Sequence, residues 1–436
     1  MRQLIVVILV GFCLPAGAQG KISFRTVDEA FIYADAHSSV FKNATQENIL
    51  SKYQTLAAKL STWNLKSDAN FSATDNTKLG TTFIPAEIFG GPAGTFQKVT
   101  FGQQYVSNLN INPQIDLLNL GAEAKVKTAR ANEQLIHFSH LISRKSLYEN
   151  LAAAFLNAVS CERQITVTQN SLLNADTLTN IMKNKLNEGV ARSQDVNNAI
   201  ANSLSVTDKL QQLQVQLLEQ YNTIKLLCDI DSDTDLQIQD KGLALVNNDD
   251  IPEAYGDLLQ NQQQWQKNYQ EADLRAVLRS FLPTVTLFSS FALQQNTTKR
   301  FFDNSQWFAS NYIGLRVTLP LVPDVSKLTA VKNARINIII AGNNLEHARI
   351  QDKINNNQLR LEYQKSLGSY RLALQIEALK KDSYLKNLNI YKEGILSATD
   401  LLNSLNDWFT AGINTATQYA ACAYAYTNIH ISNTLK

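Results

Sequence analysis

The sequence predicts an α+β protein of two similar halves, each a pair of strands set among long helices. Three observations carry this prediction. One pattern occurs twice: Glu188-Gly189 with Asp195 six residues after the glycine, and Glu393-Gly394 with Asp400, 205 residues later. Val126, Lys127, Ala129, Arg130 and Asn132 match Val331, Lys332, Ala334, Arg335 and Asn337 at the same offset, which points to a duplicated unit free of insertions between these points. Proline is absent from Gln114 through Ile251 and again after Pro323, and the only glycines in the first stretch before Gly242 are Gly121 and Gly189. Without these two helix breakers, very long helices are allowed. Between the long stretches, polar and apolar residues alternate with the period of a strand.

The elements follow in order. Arg2, the apolar run Leu4–Val10 and the small-residue site Ala16-Gly17-Ala18 read as a secretory signal over residues 1–18, with a mature chain from near Gln19. Cys13 follows Phe12 where a lipoprotein site wants a small residue, so a lipid anchor is disfavoured. The first repeat spans 19–245. Thr26 with Glu29 forms a capping box that opens a short helix at Ala30-Phe31-Ile32. Strands are expected near 62–75 and 98–112, where Tyr105, Leu109 and Ile111 share one face against Asn108 and Asn110. Residues 121–186 then form a helix of about 100 Å at about 1.5 Å per residue. Gly189 breaks it, and a second helix covers 190–230. The second repeat spans 246–436. It has a helix over 253–280, strands near 281–296 and 307–321, and long helices over 325–391 and 395–431, broken at Gly394. Val285, Leu287, Phe291 and Leu293 share one face, and Arg316–Leu321 alternates as well. Phe301, Phe302, Trp307, Phe308 and Tyr312 gather at one strand end, a position that a membrane interface favours for aromatic rings. Leu204, Leu210, Leu213, Leu217 and Tyr221 form a narrow stripe suited to antiparallel coiled-coil packing.

Composition narrows the function. Forty Lys and Arg against 38 Asp and Glu give a net charge of +2, so bulk electrostatics suggest no nucleic-acid partner. Cys161, Cys228 and Cys422 are an odd, widely spaced set within helical patterns, which describes buried thiols and no disulfide framework. No phosphate loop, GxSxG or HExxH pattern appears, so an enzyme lacks a candidate constellation and no cofactor is expected. His137 and His140 lie three apart on a helix without a third ligand, and Met182 is the one methionine of the mature chain; no metal site is expected.

Four strands cannot close a barrel, and open edges are not tolerated in a bilayer. Two copies would give eight strands with a filled interior, and three give twelve with room for a lumen. At this point the chain resembles the TolC-type outer-membrane efflux proteins. The resemblance rests on "YIGLRVTLPLVPD" entering the third long helix, "NIYKEGILSATDLLNSLNDW" at the second break and the fainter "NKLNEGVARSQDVNNAIANS" at the first. It covers essentially the whole mature chain. It implies a homotrimer with a 12-stranded barrel in Gram-negative outer-membrane lipid and a periplasmic tunnel of helices. A periplasmic adaptor (membrane fusion protein) and an inner-membrane transporter complete the export path.

The resemblance also implies roles at the breaks. Glu188, Gly189, Glu393 and Gly394 become hairpin tips that the adaptor meets, although a plain helix C-cap needs the same glycines. Asp195 and Asp400 match aspartates that line the constriction; their alternative reading is a first-turn carboxylate that favours the helix dipole. Tyr391 matches a position that locks the closed tip, or is a packing tyrosine. The family's basic residue two after the glycine is Leu396 here, and Asn403 stands where a second aspartate is frequent. A latch would therefore be built differently, with Arg192 as the candidate cation. The expected function is the duct of a tripartite efflux system for small molecules. A one-step (type I) protein secretion duct and a soluble periplasmic coiled-coil scaffold are the alternatives.

Overall fold

The computed structural model describes residues 21–239, 253–303, 306–321 and 325–435. The expected signal segment 1–18, Cys13 and the 245/246 boundary between repeats lie outside the described residues. The elements in chain order are β1 (Lys21–Phe24), α1 (Val27–His37), α2 (Ser39–Leu60), β2 (Lys66–Asp75), β3 (Gly80–Pro85), β4 (Phe96–Phe101), β5 (Tyr105–Asn119), α3 (Leu120–Asn187), α4 (Ser193–Cys228), β6 (Asp235–Ile238), α5 (Leu258–Arg279), β7 (Thr284–Thr297), β8 (Trp307–Thr318), α6 (Val325–Lys392) and α7 (Ala398–Thr434). Helices α3 and α6 are both 68 residues long, and α6 begins and ends 205 residues after α3 (325 against 120, 392 against 187). None of the described helices is long and apolar enough to cross a membrane.

The chain divides into two compact units: residues 1–47, 138–261 and 346–436, and residues 48–137 and 262–345. The second unit holds an antiparallel sheet of order β2-β5-β7-β8, so a strand from each half meets at the centre and, among the described residues, neither edge has a partner strand. Directly opposed residues share a face, so the registers sort the side chains. Ala69, Phe71, Leu109, Ile111, Leu293, Phe291, Leu287, Leu315 and Val317 fall on one face. Asn70, Asn108, Asn110, Asn112, Ser290, Gln294, Ser310 and Arg316 fall on the other. Leu287 stands between Ile115 and Leu315, whereas Ser290 Oγ donates to Asn112 Oδ1 at 2.8 Å across the polar face.

Two expectations for this unit need correction. The strand near 62–75 begins only at Lys66, because α2 continues to Leu60 and Asn64 takes φ +41 in the link. The strand near 98–112 is two elements. Phe96–Phe101 pairs with Gly80–Pro85 in a separate hairpin, and the chain turns at Gly102 (φ +112) before β5. The five aromatics near the link between β7 and β8 divide between the two faces. Phe302 stacks on Phe71 (5.7 Å), Phe301 meets Tyr105 edge-on (4.8 Å) and Trp307 opposes Gln295 on the apolar face. Phe308 and Tyr312, on even positions of β8, fall on the polar face, with Tyr312 against Phe288.

In the first unit the expected short helix is α1 followed directly by α2, and it is preceded by β1, which pairs in parallel with β6. Half of the expected capping box forms: Thr26 Oγ1 accepts from Glu29 N (3.2 Å), whereas Glu29 Oε2 accepts from Arg25 N (2.7 Å), one residue before the cap, in place of Thr26 N. Helices α4 and α5 start at Ser193 and Leu258, later than the expected 190 and 253. A core of Phe31, Leu151, Phe155, Val159, Ile224 and Ile431 joins α1, α3, α4 and α7. Beside it, Tyr148 Oη donates to Asp35 Oδ2 at 2.8 Å, and Arg144 bonds both. Burial pushes the Tyr148 hydroxyl up to about 12, and Asp35 adds to the shift.

Candidate functional site

The two helical breaks turn by the same device. Gly189 takes φ +76, Val190 N donates to Lys185 O at 2.9 Å and Gly189 N to Leu186 O at 3.0 Å. Gly394 takes φ +81, Ile395 N donates to Ile390 O at 3.2 Å and Gly394 N to Tyr391 O at 3.0 Å. A left-handed residue thus reverses the chain while the last helical carbonyls stay satisfied. An added Cβ at either glycine meets nothing within 4 Å, so the requirement is conformational. Gly394→Ala should lower stability by about 1–2 kcal/mol, the cost of placing Cβ in the left-handed region. Thermal unfolding followed by circular dichroism checks this, and an unchanged midpoint would contradict it.

The returning helices start with the two aspartates. Arg192 N donates to Asp195 Oδ2 at 3.3 Å, and Asp195 N to Arg192 O at 3.0 Å. Asp400 N donates to Ser397 Oγ at 3.1 Å, while Ser397 Oγ donates to Asp400 Oδ2 at 2.6 Å. Each carboxylate sits in the first turn, where it holds the backbone entry and faces the positive end of the helix dipole. The second copy is the better cap, since serine both accepts and donates and arginine offers no side-chain acceptor.

The two hairpins pack on each other. Leu178 and Met182 of α3, Val196 and Ala199 of α4, Tyr384 and Tyr391 of α6, and Leu401 and Leu405 of α7 form one buried cluster. Leu401 is fully buried and Leu405 nearly so; truncating such a leucine costs about 2–5 kcal/mol. Trp408 stacks on Tyr384 at 5.4 Å. Lys185, in the last turn of α3, reaches across to the second hairpin. Its Nζ donates to Tyr391 O at 2.9 Å and lies 4.2 Å from the centre of the Tyr391 ring. Burial, then the charge of Asp195, raises the Tyr391 hydroxyl above the ordinary tyrosine range.

The nine residues singled out by sequence are therefore placed as follows. Tyr391 is buried between the hairpins, and Asp195 acts on it electrostatically. Asp400, Asn403, Arg192, Glu188, Gly189, Glu393 and Gly394 are exposed at or just past the turns. The cation beside Tyr391 is Lys185, where the sequence had pointed to Arg192. Lys185 was missed because nothing local brings the end of α3 to the second hairpin; its one signal is a basic residue in a last helical turn. His140 Nε2 lies 3.3 Å from Glu47 Oε2, and among the described residues no group of three His, Cys, Asp or Glu is arranged to hold a metal ion. Cys161, Cys228 and Cys422 are buried free thiols, and burial pushes Cys228 up to about 12.

Capped helical hairpins beside a two-faced antiparallel sheet define the fold class, and several solved structures share it. The chain aligns with the Campylobacter jejuni CmeC outer membrane channel at 16% identity and TM-score 0.73, over 93% of this chain and 85% of that one. The outer membrane protein VceC of Vibrio cholerae aligns at 14% identity and TM-score 0.73, over 93% and 95%. The open-state Neisseria gonorrhoeae MtrE outer membrane channel aligns at 13% and 0.72, over 94% and 88%. No protein-family model and no curated protein sequence matches the chain. The chain has the fold of the TolC-type outer-membrane channels.

Proposed function

We propose that the chain is one of three identical subunits of an outer-membrane duct, gated at its helical hairpin tips and serving a tripartite efflux system. The observation that carries this reading is the sheet: one face mainly apolar, one face mainly polar, and both edges without a partner strand among the described residues. In lipid, an apolar outer face needs a polar inner one, and only a closed sheet satisfies its edges. Three copies of four strands make a twelve-stranded barrel whose lumen is lined by Asn108, Asn110, Ser290 and Gln294. The equal lengths and constant spacing of α3 and α6 support a duplicated subunit, so that six hairpins surround one opening. A periplasmic adaptor meets the tips at Glu188, Gly189, Glu393 and Gly394, and an inner-membrane transporter supplies the energy.

Threefold repetition turns Asp400 into a ring of like charges that attracts cations and repels anions, with Asp195 forming a second ring. The caps fix both carboxylates in the closed hairpin. Lys185 and Tyr391 bind the two hairpins of one subunit together, with Asn403 and Arg192 on the exposed side. Asp400→Asn tests the ring, because the amide oxygen keeps the acceptor of the cap and removes the charge. In planar bilayers, three neutralised positions should weaken cation selectivity and raise conductance of the closed form. An unchanged current and selectivity would remove Asp400 from the constriction.

A further inference from the structure

The polar face of the sheet carries three large aromatic rings and one arginine among its amides and hydroxyls. Phe288 on β7 and Phe308, Tyr312 and Arg316 on β8 take even positions, which the register places on that face. Phe308 is 55% and Tyr312 59% exposed. Rings of this size bury a large apolar area wherever a partner meets them, and beside them the chain offers mainly polar groups such as Ser290 and Asn112.

Three contacts join Phe288, Tyr312 and Arg316 into one surface. Phe288 lies against Gly314 of the neighbouring strand: a Cβ at 314 would meet Phe288 Cζ at 3.0 Å, so a side chain there would displace the ring. The Phe288 ring meets Tyr312 edge-on, with centroids 6.2 Å apart. Arg316 stands over the same ring, its Cζ 4.5 Å from the centroid. A guanidinium stacked on a ring uses its face and keeps the N–H donors of its edge for a carboxylate. Arg316 is exposed and, among the described residues, no carboxylate pairs with it. Asp116, two strands away in the same row, is held by Asn64, Asn119 and Thr286 and is only 6% exposed. Lys66 and Asp68 stand on β2, at the far edge of the sheet.

We propose that Arg316, Phe288 and Tyr312 form a binding station for small aromatic carboxylates. The edge of the guanidinium takes the carboxylate as a bidentate pair, and the rings of Phe288 and Tyr312 take the ring of the ligand. The inference rests on the duct reading, in which this face lines the lumen, and deepens it by naming a chemistry that the lumen favours. Threefold repetition sets three such stations at one level of the lumen.

Planar-bilayer currents of the full chain, purified in mild detergent, test the station with 2-naphthoate as the probe. It should block the unmodified protein reversibly. Cyclohexanecarboxylate, which has the charge without the aromatic ring, should need a several-fold higher concentration for the same block. Arg316→Gln should raise the half-blocking concentration of 2-naphthoate about tenfold, through loss of a charge-assisted pair. Tyr312→Leu, which leaves the contact of Phe288 with Gly314 in place, should raise it several-fold. Thr74→Ala, on the polar face of β2 away from the cluster, should leave it unchanged. Equal block of the unmodified protein and of both cluster variants, or equal block by the two acids, would overturn the station while leaving the duct intact. Failure of the unmodified protein to conduct would overturn the duct reading, and the station with it.

Discussion

Leu315→Arg should prevent stable insertion of the protein in the outer membrane, whereas Ser310→Arg on the same strand should leave insertion intact. Leu315 lies on the apolar face opposite Leu287, which is in turn opposite Ile115. An arginine on the lipid side of a barrel costs about 2–4 kcal/mol at the bilayer midplane, and a homotrimer repeats the cost in every copy. Ser310, opposite Ala292, points to the polar face, where water in a lumen solvates a guanidinium. The ratio of protein in outer-membrane and soluble fractions measures the difference. Equal loss for both variants would mean that the two faces of the sheet do not meet different solvents.

The second large effect is expected at Asp116. This carboxylate lies at the end of β5 and is only 6% exposed. Its Oδ2 accepts from Asn64 Nδ2 and Asn119 Nδ2, each at 3.0 Å, and its Oδ1 accepts from Thr286 Oγ1 at 2.8 Å. Its own N–H donates to Trp63 O at 2.8 Å. One residue therefore ties the α2–β2 link, strand β7 and the start of α3, where Asn119 Oδ1 accepts from Ala122 N at 2.9 Å. Asp116→Ala strands three donors, at about 1–3 kcal/mol for each that water cannot reach. The unfolding midpoint should fall well below that of Asp75→Ala, an exposed carboxylate at the far end of β2 whose loss should change stability by less than about 0.5 kcal/mol. Equal midpoints would show that the joint is held by other contacts.

Both predictions rest on features that the sequence discloses unequally. Period-two alternation placed β7 and β8 to within three residues at each end (284–297 against the expected 281–296, and 307–318 against 307–321), because opposed residues of the sheet keep to one face. The proline-free stretches fixed α3 and α6 to within a residue or so, and the glycines at 189 and 394 marked the turns because only a left-handed residue closes them. The β3–β4 hairpin was hidden, since β4 reads as a continuation of β5 until Gly102 reverses the chain. Strands β1 and β6 are four residues each and pair across more than 200 positions, a distance at which no local pattern acts. At the tips, the first-turn aspartates were legible as caps. Lys185 against Tyr391 was not, because it depends on how two hairpins meet and the sequence states only that each exists.

The most direct test of the duct is the number of copies in the membrane-extracted protein. Native mass spectrometry of the protein purified in mild detergent from the outer-membrane fraction should give three chains, with no significant monomer. A monomer recovered from the soluble fraction without detergent would contradict the account, because four strands with two open edges would then be the whole sheet.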